Sequence, residues 1–160
     1  MIRGYYFISD SGLSRAGTLS DVKAAVSAGV TVVQYREKNA DTRRMVDEAR
    51  ALREICRGIT FLINDRVDVA LAVGADGVHL GQNDLPYSAA RRILGSKRII
   101  GLTVHSLEEA RSAQEAGADY IGAAPIFSTQ TKSDAGASIG IDGLKQICQQ
   151  ISIPAAAIGG

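Results

Sequence analysis

Charged and polar side chains follow several short apolar runs of this sequence, and their types suit the binding of phosphate groups. Gln34, Arg36 and Lys38 alternate along the stretch QYREK, so they lie on one face of an extended chain. A guanidinium binds phosphate through two parallel hydrogen bonds, and an ammonium adds a point charge. The stretch therefore predicts a phosphate or diphosphate site. The alternative is a solvated loop in which Glu37 pairs with its neighbours.

Two aspartates follow the next two apolar runs. Asp65 comes directly after FLIN, and Asp84 closes the stretch GQND. Mg²⁺ is commonly held by one or two carboxylates, with substrate phosphates and waters in the other positions. Both aspartates are therefore candidate Mg²⁺ ligands. Alternatively, each caps the helix behind it, since Asp is a frequent N-cap and Pro86 is typical of a first helical turn.

Other polar groups follow the later runs. Thr103 offers a hydroxyl, and His105 is a candidate base, although a lone histidine at a strand end is more often structural and we favour that interpretation. Gly122, Ala123 and Ala124 stand where a large aliphatic residue would normally pack, so they leave room for a ligand.

Two glycine- or hydroxyl-rich stretches near the end of the chain also suit phosphate. Residues 127–138, FSTQTKSDAGAS, place Lys132 among hydroxyl groups and predict either a phosphate-binding lid or a flexible linker. Gly159 and Gly160 present backbone N–H groups with no side chain in the way.

These groups need a scaffold that gathers strand ends, and short apolar runs do alternate with amphipathic or capped segments. Asp41 and a capping box from Ser106 to Glu109 mark two helix starts. The predicted strands are 5–9, 31–35, 61–64, 77–80, 99–104, 120–126 and 154–158. The predicted helices are 18–28, 41–56, 66–73, 86–94, 107–116 and 142–150.

An internal repeat indicates how these elements connect. Gly29, Gly74 and Gly117 each lie between a helix end and a strand, so a strand–helix unit recurs about every 22 residues. Such units form parallel strands with right-handed crossovers, either in a doubly wound open sheet or in a barrel. A repeat without reversal, and no GxGxxG turn after any strand, favour an α/β protein with the (βα)8 TIM-barrel fold and about seven βα units. In that fold the C-terminal strand ends carry the functional groups.

Composition narrows the class of protein. The 160 residues carry a formal charge of +1 from interleaved acids and bases, so we expect no nucleic-acid or membrane partner. No apolar run reaches the length of a membrane span and no secretory signal is evident, so we expect a soluble, cytoplasmic protein and leave a homo-oligomer open. Cys56 and Cys148 are isolated, in no metal-ligand or disulfide pattern.

Taken together, five stretches in order resemble the thiamine phosphate synthase and thiazole tautomerase family, over essentially the whole chain. They are QYREK, LINDRVDVALAVGADGVHLGQNDLP, TVHSLEEA, ADYIGAAPIFSTQTK and IPAAAIGG. The resemblance implies a Mg²⁺-dependent transferase. Such an enzyme joins hydroxymethylpyrimidine diphosphate to a thiazole phosphate, giving thiamine phosphate and diphosphate through an early-formed pyrimidine cation.

The resemblance also implies roles for individual residues. Asp65 and Asp84 would bind Mg²⁺, and Thr103 stands where the family usually has Ser. Catalytic roles would fall to Arg36, Lys38, Lys132 and Thr103. The implied substrate-binding residues are Gln34, Tyr35, Arg36, Glu37, Lys38, Asn64, Thr103, Thr129, Gln130, Thr131, Lys132, Gly159 and Gly160.

Two alternatives to the synthase stay open. Thiazole tautomerase shares the barrel but typically lacks the paired aspartates and the Thr-x-Thr-Lys segment, both present here, so the transferase is favoured. A barrel that only binds phosphorylated ligands is the third interpretation.

The family pattern continues beyond the AIGG strand with a helix, an eighth strand and a final helix. We therefore expect residues 1–160 to be a single TIM-barrel domain without its C-terminal strand and helix, from a truncated or longer protein. We expect this chain by itself to have little synthase activity and poor stability.

Overall fold

The computed structural model describes residues 2–129 and 137–159. In this part of the chain, strands and helices alternate from end to end. The strands are β1 (Tyr6–Ile8), β2 (Val32–Tyr35), β3 (Thr60–Asn64), β4 (Gly77–Leu80), β5 (Ile99–Val104), β6 (Tyr120–Ala123) and β7 (Ala155–Ala157). The helices are α1 (Thr18–Ser27), α2 (Thr42–Ile55), α3 (Val67–Val73), α4 (Tyr87–Leu94), α5 (Leu107–Ala116) and α6 (Gly140–Gln150).

The strand order in the sheet follows the chain, from β1 to β7. The strand pairs described within it are parallel. Parallel neighbours with a helix between them are repeated βα units. Because the order never reverses, the doubly wound alternative is wrong, and the topology is that of the TIM-barrel class.

By its contacts the chain divides into two compact units, residues 1–79 with 92–99 and residues 80–91 with 100–160. Each unit has buried apolar residues from both strands and helices. Among the described residues, no helix is both long and apolar enough to cross a membrane.

In the first unit, successive side chains of β2 point to opposite faces of the sheet, and one of these faces packs against helices. Tyr35 pairs in register with Ile63 of β3, both are fully buried, and the Tyr35 hydroxyl donates to Glu48 of α2 at 2.7 Å. Burial and the neighbouring Glu48 carboxylate raise the pKa of Tyr35. Gln34 and its register partner Leu62 lie on the other face, the one from which the predicted phosphate ligands project.

In the second unit, β5 and β6 pack against α5 and α6. Val104 and Ile121 are fully buried in a cluster that also contains Ala113 of α5 and Ile147 of α6. Burial of this apolar surface fixes which face of each strand points toward the helices. Positions 101 and 103 therefore lie on the opposite face of β5, where Thr103 presents its side chain and Gly101 has none.

The internal repeat corresponds to a recurring turn. Gly29, Gly74 and Gly117 have φ of 90°, 63° and 95°, the left-handed region that glycine adopts without steric cost. Gly74 and Gly117 are the C-caps of α3 and α5. The repeat read from the sequence is thus a repeated helix ending that turns the chain into the next strand.

Two residues after two of these glycines, an aspartate performs the same task in each unit. Asp76 accepts from the N–H of the second residue of β3 at 2.8 Å and binds Arg53 of α2 through two bonds of 3.0 Å. Asp119 accepts from the N–H of the second residue of β5 at 2.8 Å and binds Arg91 of α4 at 2.6 Å. We call each arrangement an aspartate clasp. Each aspartate lies just before the next strand, β4 or β6. It ties the start of the preceding strand, β3 or β5, to the helix that leads into that preceding strand.

The predicted helix starts are confirmed with one difference. Asp41 accepts from Arg44 N at 2.9 Å, and Ser106 accepts from Glu109 N at 3.1 Å. In a capping box the Glu109 carboxylate would return to the Ser106 N–H, but it accepts from His105 N at 2.7 Å. Glu109 therefore binds the backbone N–H of His105, the residue before the N-cap Ser106.

The predicted strand 120–126 is too long. β6 ends at Ala123, and the Ala124–Pro125 peptide bond that follows is cis. Proline has no N–H to donate to a sheet ladder, so the regular strand cannot continue through it. Contact with the segment after β7 resumes beyond the proline, since Ile126 N donates to Ile158 O at 2.9 Å.

Candidate functional site

Arg36 lies just beyond β2 and is held by the segment that follows β1. Its guanidinium forms an ion pair with Asp10, and its backbone N–H donates to Ser9 Oγ at 3.1 Å. The other carboxylate oxygen of Asp10 accepts from Gly12 N at 3.0 Å. The side chains of the pair are 20% and 22% exposed, so the guanidinium is partly withdrawn from solvent and fixed in direction.

Lys38 and Asp65 meet at the ends of two adjacent strands. Lys38 Nζ donates to the Asp65 carboxylate, and the two side chains are 47% and 17% exposed. Gln34, two residues before Arg36 on the same face, donates to the Tyr6 hydroxyl at 2.6 Å. The structure thus brings the predicted diphosphate-binding cation Lys38 into contact with a predicted metal ligand.

The backbone of Asp65 distinguishes the metal-ligand hypothesis from the helix-cap alternative. Its φ is 61°, so it lies in the left-handed region, and its N–H donates to His79 O at 2.8 Å. The N-cap of α3 is Arg66, one residue later, and the Arg66 side chain makes no cap hydrogen bond. The helix-cap role for Asp65 is therefore wrong.

Glu37 points away from Arg36 and Lys38 and binds its own loop. Its carboxylate accepts from Asn39 N at 2.6 Å. Burial alone would raise the pKa of Glu37, but hydrogen bonds from Ser11 and from the backbone N–H groups of residues 38–40 hold it below its ordinary value. The sequence alternative, a solvated loop in which Glu37 pairs with its neighbours, therefore differs from the structure, where the mostly buried carboxylate binds backbone N–H groups and Ser11. Substrate contacts of Tyr35 and Glu37 stay predictions.

In the second unit, Thr103 occupies the face of β5 opposite the helices and is mostly buried. Its register partner on β6 is Gly122, which has no side chain. Ala123 lies on the other face, in the cluster packed against α5 and α6. Of the small residues of β6, Gly122 therefore fits the expectation of ligand space, whereas Ala123 serves helix packing.

The polar residues after β4 and β5 are tied to one another. Asp84 Oδ2 accepts from Gly81 N at 2.6 Å and closes a turn. Gln82 Nε2 donates to Thr103 O at 2.6 Å. His105 Nδ1 lies 3.1 Å from Glu109 Oε2, which agrees with the structural role favoured for this histidine.

Position 159 requires glycine because its backbone is left-handed and because Pro125 lies close to it. Its φ is 98°, and a Cβ there would lie 2.8 Å from Pro125 Cβ. Its carbonyl accepts from Phe127 N at 3.0 Å. Of the other sequence-predicted phosphate ligands in this part of the chain, Thr129 is described, whereas Gln130, Thr131, Lys132 and Gly160 lie outside the described residues.

Sequence reasoning missed Ser9, Asp10 and Gln82. Ser9 and Asp10 directly follow β1, as Arg36 follows β2, so the rule that polar strand ends carry function could have found them. Gln82 lies in the stretch GQND, but nothing in the sequence indicates that its amide reaches the end of β5.

The carboxylate of Asp65 is a donor of the kind that Mg²⁺ accepts. No group of three or more His, Cys, Asp or Glu side chains that could hold a metal occurs among the described residues. Mg²⁺ is usually bound through one or two carboxylates together with substrate phosphates and water. Asp65, a carboxylate already beside a cation, fits that mode.

Parallel βα units with cations and carboxylates just after the strands define a TIM-barrel protein whose C-terminal strand ends are charged. A family model described as thiamine monophosphate synthase matches residues 5–160. The chain belongs to this family, and the resemblance read from the sequence is confirmed.

Individual relatives agree. Thiamine-phosphate synthase from Methanosarcina mazei is 55% identical over 157 residues, covering 98% of this chain and 65% of the relative. The enzyme of the same name from Chloroflexus aurantiacus is 54% identical over 158 residues, covering 97% of this chain and 73% of the relative. The chain thus spans about two thirds to three quarters of the length of these two relatives.

Solved structures confirm the fold. Thiamine phosphate pyrophosphorylase from Pyrococcus furiosus matches with a TM-score of 0.89 and 44% identity, covering 97% of this chain and 74% of that chain. An N-acetylmannosamine-6-phosphate 2-epimerase from Clostridium perfringens matches with a TM-score of 0.66 at 13% identity, covering 94% and 74%, and shares the fold alone.

Proposed function

We propose that the protein is a Mg²⁺-dependent thiamine phosphate synthase. Such an enzyme transfers the pyrimidinylmethyl group of hydroxymethylpyrimidine diphosphate to the ring nitrogen of a thiazole phosphate. The observation that carries the proposal is the contact between Lys38 and Asp65. It supports the proposal because a cation suited to diphosphate lies beside a carboxylate suited to a metal ion, in a chain 55% identical to a thiamine-phosphate synthase. A site for a metal diphosphate needs both charges at one place.

The diphosphate is held by Arg36 and Lys38, with Gln34 and Asn64 as neutral partners. Both cations are paired with acids in the structure, Arg36 with Asp10 and Lys38 with Asp65. The two acids hold the cations near the strand ends. When the diphosphate arrives, Lys38 turns from Asp65 to a phosphate oxygen, and Arg36 binds through the guanidinium edge that Asp10 does not occupy.

Asp65 and Asp84 would hold the metal ion. When bound, Mg²⁺ neutralises charge on the departing diphosphate. The lysine released from Asp65 keeps its positive charge at the same place, so that the leaving group meets two cations.

The substitution needs no protein nucleophile. The bond between the pyrimidine methylene and the diphosphate oxygen breaks, and its electron pair leaves with the diphosphate. The pyrimidine ring stabilises the cation, and the thiazole nitrogen then donates its lone pair to form the new C–N bond. Arg36, Lys38 and Lys132 stabilise the leaving charge, and holding the two rings within reach supplies much of the remaining acceleration.

The thiazole phosphate site is assigned to residues near the chain's last two strands. Thr129, Gln130, Thr131, Gly159 and Gly160 are the proposed ligands, with Thr103 offering a hydroxyl to the substrates. Gly159 is assigned by the resemblance alone, because the space left by its missing side chain is filled by Pro125. We place the protein in the cytoplasm with these small-molecule substrates.

A substrate-omission assay tests the proposal on the protein at its full natural length. Diphosphate release is measured with both substrates, with either alone, and with EDTA. Release that requires both substrates and Mg²⁺ is the expected result. Metal-independent isomerisation of the thiazole would instead assign the tautomerase, and ligand binding without either reaction would leave only a phosphate-binding barrel.

A further inference from the structure

The segment Ser9-Asp10-Ser11 after β1 contacts the stretch Arg36-Glu37-Lys38 at three separate points. Ser9 Oγ accepts from Arg36 N at 3.1 Å, and Asp10 forms an ion pair with the Arg36 guanidinium. Ser11 hydrogen-bonds the Glu37 carboxylate. Backbone pairing continues into this contact, since Ser9 N donates to Gln34 O at 2.9 Å.

Asp10 is itself anchored, which makes it able to orient its partner. One carboxylate oxygen accepts from Gly12 N at 3.0 Å, and the backbone carbonyl of Asp10 accepts from Leu13 N at 3.2 Å and Ser14 N at 3.0 Å. The turn thus fixes the carboxylate, and only its second oxygen reaches Arg36. A flexible arginine side chain paired with a fixed carboxylate loses most of its freedom before any ligand binds.

We propose that Asp10 is a positioning residue that pre-orients the Arg36 guanidinium for the diphosphate. The inference rests on the proposed function, because it takes Arg36 as a diphosphate ligand. Asp10 does not touch the substrate itself. It acts as the outer partner of a binding group, a role in which substitution commonly costs 10- to 100-fold at metal sites.

Losing the charge of Asp10 and losing the orientation of Arg36 should change the affinity for diphosphate in opposite directions. The direction of the measured change is therefore informative. Removing the negative charge of Asp10 would by itself strengthen the attraction of the site for an anion. Orientation would be lost at the same time, and bidentate binding of phosphate depends on the direction of the guanidinium. Both side chains are only about one fifth exposed, so solvent screens the charge effect weakly. We nevertheless expect the loss of orientation to dominate, because bidentate binding needs both guanidinium nitrogens aligned with the phosphate.

The test measures binding of inorganic diphosphate in the presence of Mg²⁺ by calorimetry, together with kcat and KM, on the protein at its full natural length. Asp10→Asn keeps the acceptor for Gly12 N and removes the charge. Asp10→Glu keeps the charge and displaces the carboxylate by one methylene. Glu54→Gln, which removes only the exposed pair with Arg57, is the matched control.

Both Asp10 variants should weaken diphosphate binding by about 10-fold and raise the KM of the pyrimidine diphosphate, while Glu54→Gln behaves as the wild type. In an Arg36→Gln background, Asp10→Asn should have less than about a two-fold further effect, because Asp10 acts through Arg36. Should one Asp10 variant fail to fold, the other decides.

Unchanged or tighter binding in a folded Asp10 variant overturns the inference, as does an undiminished effect in the Arg36→Gln background. A wild-type protein that binds diphosphate without making thiamine phosphate contradicts the proposed function alone. One that does not bind diphosphate contradicts both.

Discussion

Lys38 and Asp65 form an ion pair between the segments that follow β2 and β3, and Asp65 makes this contact from a left-handed backbone conformation with φ of 61°. Residues other than glycine adopt that region at a cost in free energy, and Asp and Asn tolerate it best. Because α3 begins with Arg66 as its N-cap, helix capping does not account for the aspartate. The role of Asp65 as a metal ligand stays a prediction, and its contact with Lys38 is the observation that supports it.

Two substitutions at Asp65 separate its charge from its conformation. Asp65→Asn keeps the shape and the tolerance of positive φ, so we expect the free energy of unfolding to change by less than about 1 kcal/mol. Mg²⁺-dependent kcat/KM should fall by about 100-fold or more, since a group that stabilises leaving charge through the metal is lost. Asp65→Ala should show the same loss of activity and an additional destabilisation of about 1 kcal/mol.

Urea denaturation and steady-state kinetics measure the two effects. If Asp65→Asn unfolds readily but retains activity per folded molecule, the aspartate is structural after all.

The Glu37 carboxylate should make the free energy of unfolding depend on pH. Its pKa is held below the ordinary value of 4.5, so the carboxylate stabilises the fold at pH values above its unfolded-state pKa. That contribution is lost as the pH falls through the lower folded-state pKa. Glu37→Gln should therefore be less stable than the wild type by about 1 to 3 kcal/mol near neutral pH, and the difference should shrink below about pH 4.

The measurement is urea denaturation of both proteins at a series of pH values. A constant difference between them from neutral pH to pH 3 would show that the carboxylate charge does not stabilise this loop.

The aspartate clasps at Asp76 and Asp119 should stabilise the fold without serving the reaction. Asp119→Ala removes the acceptor for a buried strand N–H and the partner of Arg91, so a loss of about 1.5 to 3 kcal/mol is expected. Asp76→Ala should behave alike, because it loses the same type of contacts. Asp47→Ala, which removes only an exposed pair with Arg50, is the control and should change stability by less than about 0.5 kcal/mol.

Chemical denaturation gives the free energies, and kcat per folded molecule should be unaffected in both clasp variants. An equal, small effect of all three substitutions would mean that the clasps contribute no more than surface pairs.

Gly159→Ala should damage the end of β7. A methyl group there would lie 2.8 Å from Pro125 Cβ on a backbone with φ of 98°, so either the turn or the proline must move. We expect a loss of about 1 to 3 kcal/mol and a raised KM for the thiazole phosphate, with the KM of the pyrimidine diphosphate much less changed. Selective loss of pyrimidine affinity would place Gly159 at the other substrate.

The sequence predicted the order and bounds of nearly all strands and helices, since those depend on local apolar patterning and caps such as Asp41 and Ser106. It also predicted the barrel, because Gly29, Gly74 and Gly117 repeat a local helix ending. β6 was predicted too long because its apolar pattern runs on through Pro125, whose missing N–H ends the strand.

The partners of the charged side chains could not be predicted, because they depend on strand register. Asp10 lies 26 positions from Arg36 and Asp65 lies 27 from Lys38, and no local pattern joins them. For the same reason the sequence left two roles open for Asp65. The positive φ and the cap at Arg66 exclude the helix cap, and both are properties of the folded backbone. The metal-ligand role stays a prediction.

If the charged strand ends act on a metal diphosphate to form thiamine phosphate, each turnover releases one diphosphate for every thiamine phosphate formed. Phosphorus NMR follows diphosphate and thiamine phosphate in one sample of the full natural protein with both substrates. Equal amounts of the two products, formed only with Mg²⁺ and lost in Asp65→Asn, are predicted. Turnover without diphosphate release, or undiminished turnover in EDTA, would show that the protein is not a Mg²⁺-dependent synthase.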